Sequence, residues 1–196
     1  MANSTAPGAA RALFLDRDGV INVDHGYVHT ADKFQFVDGV FDLVKAAKAA
    51  GFVVVVVTNQ AGIARGYYSE EQFHRLSTWM CEQFERHGGA IDKVYFSPYH
   101  PTAGIGLYLK DDDTRKPRPG MILRAKQELG LSLENSILVG DQPTDIQAGH
   151  AAGVGLNVLY LEPGRSEDVP LPHLCVRALG EVIPLLDRAV TESPQP

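Results

Sequence analysis

The run Val53-Val54-Val55-Val56-Val57, entered from Phe52, limits the possible folds more than any other stretch. It is β-branched throughout and apolar on both alternating faces. A strand with one wet side would alternate, so this one is parallel and covered on both sides. Shorter apolar runs repeat the theme at Arg11-Ala12-Leu13-Phe14-Leu15, Ile91 to Phe96, Ser136-Ile137-Leu138-Val139 and Leu156 to Leu161. Helical stretches separate them. Asp38 can cap a helix to about Ala50, with Val40, Phe41, Val44 and Ala47 on one face and Gly51 at its end. Ser69 and Gln72 form a capping-box pattern before Phe73, Leu76, Met80 and Phe84, and that helix stops near Gly88-Gly89. Pro119 opens a helix carrying Met121, Ile122, Ala125 and Leu129, closed by Gly130. Residues 143–152 are helical up to Gly153, and a last helix runs from about Ala178 to Val190, kinked at Pro184. Strands alternating with helices predict an α/β fold, a central parallel sheet with helices on both faces joined by right-handed crossovers. A single domain is expected over 11–190, with 1–10 and 191–196 as flexible termini.

Ligands in such folds bind at the carboxyl ends of the strands. Polar clusters fall there: Asp16 and Asp18 followed by Gly19, then Thr58-Asn59, then Asp141 with Asp145. Arg115-Lys116 lies just before a helix. Asp16, Asp18 and Asp141 supply hard oxygen ligands suited to Mg²⁺. Lys116 adds a fixed cation, and Thr58 and Asn59 add donors. Together these are what a phosphoryl group requires as charge shifts over its oxygens. One carboxylate could attack phosphorus while the second moves a proton. Taken singly each cluster is weak. Asp-x-Asp-Gly also occurs in turns and calcium loops, but Val20, Ile21 and Tyr27 break the EF-hand pattern. Thr58-Asn59 could be a turn, Lys116 a surface lysine, and Asp141 a helix cap. The signal is their order and placement. No phosphate-binding glycine loop of the Walker or dinucleotide type is present, since Gly104-Ile105-Gly106 lacks the third glycine.

A formal net charge of -6 argues against a nucleic-acid partner bound by a basic face. Cys81 and Cys175, far apart, fit reduced thiols in the cytoplasm. No stretch approaches the roughly 18 apolar residues of a membrane span. Residues 1–10 lack the basic and apolar regions of a signal peptide. The chain is therefore expected to be cytoplasmic, monomeric, and without nucleic-acid or membrane partners.

The clusters resemble the four motifs of the haloacid dehalogenase (HAD) superfamily: Asp16-Arg17-Asp18-Gly19; Thr58-Asn59-Gln60; Lys116 within Arg115-Lys116-Pro117-Arg118-Pro119-Gly120; and Gly140-Asp141-Gln142-Pro143-Thr144-Asp145. The match is closer still. Asp16 to Asn22, Asp24-His25-Gly26-Tyr27-Val28, and Thr58-Asn59-Gln60-Ala61-Gly62-Ile63-Ala64-Arg65-Gly66 resemble the D-glycero-D-manno-heptose 1,7-bisphosphate 7-phosphatase family, in a subgroup shared with histidinol-phosphate phosphatases. The resemblance covers about residues 11–161. It implies a Rossmann-like HAD fold and a Mg²⁺-dependent phosphoric monoester hydrolase. Such an enzyme would remove the C7 phosphate in nucleotide-heptose and lipopolysaccharide precursor synthesis. Asp16 would be the nucleophile and Asp18 the general acid/base. Mg²⁺ would be held by the side chains of Asp16 and Asp141 and the backbone carbonyl of Asp18. Thr58, Arg115 and Lys116 would stabilise the phosphoryl group. Asp24, His25, Gly26, Tyr27, Asn59, Gln60, Arg65, Arg115 and Gln142 would line the sugar-bisphosphate site, Gln142 standing where relatives often have lysine.

Relatives usually hold a structural zinc in the long loop with a Cys-x-His and a Cys-x-Cys pair. Here those positions read Ser97-Pro98-Tyr99 and Asp112-Asp113-Thr114, without a thiolate, so no zinc is expected. The loop from Ser97 to Arg115 must be ordered by packing or else be mobile. The spacings Asp18 to Thr58 and Thr58 to Lys116 leave no room for a full cap domain, only for loop insertions over the site. Competing readings are a histidinol-phosphate or other small phosphate-ester phosphatase, and a non-catalytic binding module of the same fold.

Overall fold

Six short strands form one parallel sheet in the order β3-β2-β1-β4-β5-β6. In this computed structural model residues 9–161, 169–171 and 173–188 are described. The strands are β1 (Ala12–Leu15), β2 (Val53–Asn59), β3 (Lys93–Ser97), β4 (Ile137–Gly140), β5 (Leu156–Tyr160) and β6 (Leu174–Val176). Central β1 pairs with β2 and β4. Val54, Val55, Val56 and Val57 are all buried, as a strand covered on both faces requires. The helices are α1 (Val40–Ala49), α2 (Ala61–Ala64), α3 (Glu70–Arg86), α4 (Gly120–Leu129), α5 (Pro143–Ala152) and α6 (Leu185–Arg188).

Alternate residues of β1 and β2 feed two cores. Leu13, Leu15, Val54 and Val56 pack with Leu43, Val44, Leu76, Met80 and Phe84 of α1 and α3. Ala12, Phe14, Val55 and Val57 pack with Met121, Ile122, Ala125, Ile146 and Ala148 of α4 and α5. The helices therefore lie on both faces, as expected.

Several elements differ from the sequence reading. Asp38 does not cap α1; the cap is Gly39, left-handed at φ 80° with no side-chain bond. Leu43 fills the inner face of α1, while Phe41 sits half-buried among Phe36, Phe84 and His87. The Ser69–Gln72 capping box forms in both directions. α2 and β6 were not foreseen. The C-terminal helix is a 3-10 turn at Leu179–Val182 followed by α6. The expected end of that helix at Val190 and, of the termini expected to be flexible at 1–10 and 191–196, residues 1–8 and 191–196 lie outside the described residues; Ala10 forms a bridge with Leu131.

No cap domain intervenes. After β1 the chain makes an arm closed at its base by a bridge between Asn22 and Phe36. Phe34 and Phe36 pin it to Trp79 of α3, with ring centroids 5.4 Å and 5.8 Å apart. No helix among the described residues is long and apolar enough to cross a membrane.

Candidate active site

β1, β2 and β4 end together, so the polar residues that follow them meet at one edge of the sheet. Asp16 continues β1, its N–H bonded to Val139 O at 3.0 Å. Gly19 turns the chain at φ 92°, and a Cβ there would lie 2.4 Å from the Asp141 carboxyl carbon. Gly140 is required for the same reason: its Cβ would lie 2.2 Å from that of Asp145. Both glycines let carboxylate-bearing segments approach more closely than any side chain allows.

Asp16, Asp141 and Asp145 offer carboxylate oxygens within 4.8 Å of one another. Lys116 is buried beside them. Its Nζ lies 2.8 Å from Asp16 Oδ1 and 2.6 Å from Asp145 Oδ1, and donates to Val57 O at 2.9 Å. Burial pushes the Asp16 carboxyl well above the usual carboxylate range; Lys116 opposes this, and the charges of Asp145 and Asp141 add to it. Burial also disfavours the Lys116 ammonium, but Asp145 and Asp16 outweigh it and keep it protonated. Three carboxylates with one cation leave the cluster net negative.

The side chain of Asp18 is not part of this group. The resemblance had assigned Asp18's metal role to its carbonyl, and the third gathered carboxylate is Asp145. Asp18 instead sits among donors. Both its oxygens accept from Arg17 Nη2 at 2.8 Å, Oδ1 accepts from Asn22 Nδ2 at 3.0 Å, and Oδ2 accepts from Gln60 Nε2 at 3.0 Å. Gln60 Nε2 also donates to Thr58 Oγ1 at 2.8 Å, and Gln60 Oε1 accepts from Tyr68 Oη at 2.6 Å. Burial pushes the Tyr68 phenol up to about 12, so it remains a donor. Asn59 is spent on the main chain of Lys116: its Nδ2 donates to Lys116 O and its Oδ1 accepts from Lys116 N, both at 3.0 Å.

Arg17 and Tyr68 are residues to which the sequence reading gave no role, and Asp145, placed there in a strand-end cluster, was given no role of its own. Arg17 is 1% exposed, and its Nη2 also donates to Val28 O, tying Asp18 to the arm. A buried arginine between two motif aspartates, and an aspartate four residues after Asp141, were the available signals.

The remaining candidates lie at the rim. Asp24 Oδ1 accepts from Gly26 N at 2.9 Å, a turn that carries Tyr27 into the left-handed region at φ 54°. Tyr27 packs edge-on against Tyr67, and His29 stacks on Tyr68. His25 bonds Gln35 at 3.3 Å within the arm instead of joining the cluster. Gln142 Nε2 donates to Asp141 Oδ2 at 2.6 Å, and its N–H donates to Asp145 Oδ2 at 3.0 Å. Arg115 Nη1 donates to Tyr99 O at 3.1 Å. Burial, and then the like charge of Arg65, pulls the Arg115 guanidinium below its ordinary value. Desolvation and the same two arginines lower His100. Two like charges that act on one another in this way would both be relieved by an anionic group.

In the loop between β3 and Lys116, the Thr114 hydroxyl lies 2.6 Å from Asp112 Oδ1 and 3.1 Å from Ser97 Oγ, and Lys110 Nζ lies 2.5 Å from Asp112 Oδ2. The loop is thus ordered by its own polar contacts.

A parallel sheet of this order, with an aspartate pair after β1 and a buried lysine joining the first of them to an aspartate after β4, defines a HAD-like hydrolase. Residues 113–168 match the family described as HAD-hydrolase-like. Over 176 residues the chain is 54% identical to the D-glycero-alpha-D-manno-heptose-1,7-bisphosphate 7-phosphatase of Burkholderia mallei, covering 90% of this chain and 93% of that protein. It is 50% identical over 151 residues to the D-glycero-beta-D-manno-heptose-1,7-bisphosphate 7-phosphatase of Vibrio cholerae, covering 77% and 81%. The crystal structure of D,D-heptose 1,7-bisphosphate phosphatase from B. bronchiseptica, complexed with magnesium and phosphate, superposes with TM-score 0.79 at 27% identity, covering 91% of this chain and 98% of that one. The chain belongs to the heptose-1,7-bisphosphate 7-phosphatase family of HAD-like hydrolases and is a phosphoric monoester hydrolase.

Proposed function

We propose that the enzyme removes the C7 phosphate of D-glycero-D-manno-heptose 1,7-bisphosphate, leaving heptose 1-phosphate for nucleotide-heptose and lipopolysaccharide precursor synthesis. What supports this reading is that anionic groups can be received in two ways: first at Lys116 beside Asp16 and Asp145, once a divalent ion offsets those carboxylates, and second by Arg65 and Arg115, whose like charges act on one another. A monoester phosphatase needs only the first. A bisphosphate also uses the second.

In this reading Asp16 attacks phosphorus, and the bond from phosphorus to the C7 oxygen breaks as Asp18 gives that oxygen a proton. Asp18 then takes a proton from water, whose oxygen displaces Asp16 from the aspartyl-phosphate and yields inorganic phosphate. Lys116 orients Asp16 through its ion pair, and Asn59 holds Lys116 by the main chain. Arg17, Asn22 and Gln60 aim the Asp18 carboxylate. Magnesium fits the net-negative set of buried hard oxygens: Asp16 and Asp141, with Asp145 beside them, would hold it, and it would supply charge neutralisation for the transferring phosphoryl. Serine, tyrosine and threonine at the loop's motif positions are not usual zinc ligands, and the one carboxylate among them, Asp112, is engaged by Lys110 and Thr114, so no zinc is proposed there.

The test is phosphate release from both anomers of the heptose bisphosphate and from histidinol phosphate, each with Mg²⁺ and with EDTA. The α anomer is the first to try, because the relative named for it aligns over 90% of this chain. Fast Mg²⁺-dependent release from a heptose anomer is expected; preference for histidinol phosphate would overturn the assignment. Arg115→Ala is expected to raise KM for the bisphosphate by about tenfold or more, and to leave a simple aryl phosphate unaffected.

Magnesium is also expected to raise the melting temperature, through about 2.7 kcal/mol of linkage at a hundredfold excess over Kd. Metal and proton compete for Asp16, whose folded pKa lies above its unfolded value. The proton's stabilisation of the metal-free protein is lost as pH rises through that raised pKa. The gain from Mg²⁺ is therefore largest at neutral pH and shrinks on acidification. Thermal melts at several pH values, with and without Mg²⁺, measure it; a pH-independent shift would count against the ion at Asp16.

A further inference from the structure

We infer that Asp112 is a positioning residue for substrate binding, and that its carboxylate closes the loop ahead of Arg115 as a metal-free clasp. The inference rests on the reading of Arg115 as a contact to the substrate's second phosphate.

Ser97 ends β3 and is fully buried, and Asp112 is 8% exposed although it lies in a loop. A buried carboxylate must be compensated by charge and donors. Here Lys110 Nζ meets Oδ2 at 2.5 Å, and Thr114 gives Oδ1 both its N–H at 3.0 Å and its hydroxyl at 2.6 Å. The hydroxyl has one proton, so with Asp112 taking it, Thr114 Oγ1 receives from Ser97 Oγ at 3.1 Å. Despite the burial that opposes it, these contacts hold the Asp112 carboxyl down at about 2.

The contacts form a closed circuit around Arg115. Asp112 is the first residue of a turn: its O accepts from Arg115 N at 3.2 Å, while its side chain accepts from Thr114 N at 3.0 Å. Lys110, held by Asp112, places its ammonium 4.9 Å from the Tyr99 ring centroid. Tyr99 O in turn accepts from Arg115 Nη1. The main chain of Arg115 is therefore held by Asp112 O, in a turn the Asp112 carboxylate braces through Thr114, and its guanidinium by Tyr99, whose ring meets the ammonium of Lys110 that the same carboxylate holds. Ser97, Asp112 and Thr114 satisfy one another, and among the described residues the cluster of His, Cys, Asp or Glu able to hold an ion is the one at Asp16. The circuit does the ordering that a bound metal would do.

The test compares the full chain with its Asp112→Asn, Thr114→Val and Arg115→Ala variants, all with Mg²⁺. KM and kcat are measured on the heptose bisphosphate and on p-nitrophenyl phosphate, which has no second phosphate. Asp112→Asn and Thr114→Val are expected to raise KM for the bisphosphate about tenfold with kcat within about twofold, and to leave p-nitrophenyl phosphate turnover unchanged. Parallel losses on both substrates would mean a merely structural residue and overturn the inference. So would an unchanged KM in Asp112→Asn alongside a raised KM in Arg115→Ala. An unchanged KM in Arg115→Ala would instead remove the reading of the second phosphate site on which the inference stands. Zinc added to metal-stripped wild-type protein is expected to leave KM unaltered; a fall in KM would overturn the metal-free clasp.

Discussion

Asp16→Asn is expected to lower phosphate release by at least about 10⁴-fold and to leave the protein folded, because the proposed reaction has no second route to phosphorus. The amide keeps the volume of the carboxylate but offers no nucleophilic oxygen anion. The stability side of the prediction is sharper. Asp16 is buried beside two further carboxylates, and its carboxyl is already pushed up against the pull of Lys116. Ionisation at this position is therefore unfavourable in the metal-free protein. Removing that charge is expected to leave the metal-free melting temperature at neutral pH equal to or above that of the wild type. Lys116 keeps Asp145 and Val57 O as partners. The melting gain from Mg²⁺ should fall at the same time, since one carboxylate donor is lost. Near-wild-type turnover in this variant would remove Asp16 as the attacking group. A melting temperature many degrees below wild type would show that the carboxylate, not the amide, is what the cluster needs to fold.

What could be read before the structure, and what could not, divides along physical lines. Central strands were legible because a strand covered on both faces must be apolar at every position, as β2 is from Val54 to Val57. The helix opened by Ser69 and Gln72 was legible because its capping box is a local pattern. β6 carries no such pattern: three residues at the sheet edge, with Leu174 and Cys175 exposed, have neither length nor alternation. Asp38 has the chemistry of a cap, but the chain turns at Gly39, where a positive φ excludes most side chains. Within the site, the order of the motifs revealed which residues meet but not how they pair. That Asn59 faces the Lys116 main chain, that Arg17 turns inward to grip Asp18, and that Asp112 closes the loop are facts of approach between distant segments. Asp145 was legible as a member of the strand-end cluster but not as the partner of Lys116, for its proximity to Asp16 depends on a glycine at 140 with no room for a Cβ.

Lys116→Met is expected to damage stability and activity together, and the two can be separated. Methionine fills much the same space but supplies no charge and no donor. Asp16 and Asp145 would lose their shared cation, and Val57 O its donor. Breaking a buried ion pair from one side destabilises by about 3–5 kcal/mol, because the stranded charge remains buried. For a chain of this length that is a fall of roughly 10 °C or more in melting temperature. Lys116 lowers the Asp16 carboxyl, so its loss moves that group further upward. Stability supplied by protonation is present at low pH and lost as pH rises through the raised value. The metal-free variant should therefore recover on acidification and be weakest above neutrality, and its melting gain from Mg²⁺ should exceed that of the wild type. Adding Asp145→Asn should restore part of the melting temperature, since it removes one stranded charge. It should not restore turnover, because the cation that orients Asp16 would still be missing. Melting curves across pH with kcat measured on the wild type, the single variant and the double variant decide the matter. If the double variant regained activity along with stability, Lys116 would serve only to neutralise Asp145, and its place beside the attacking oxygen would have no part in the chemistry.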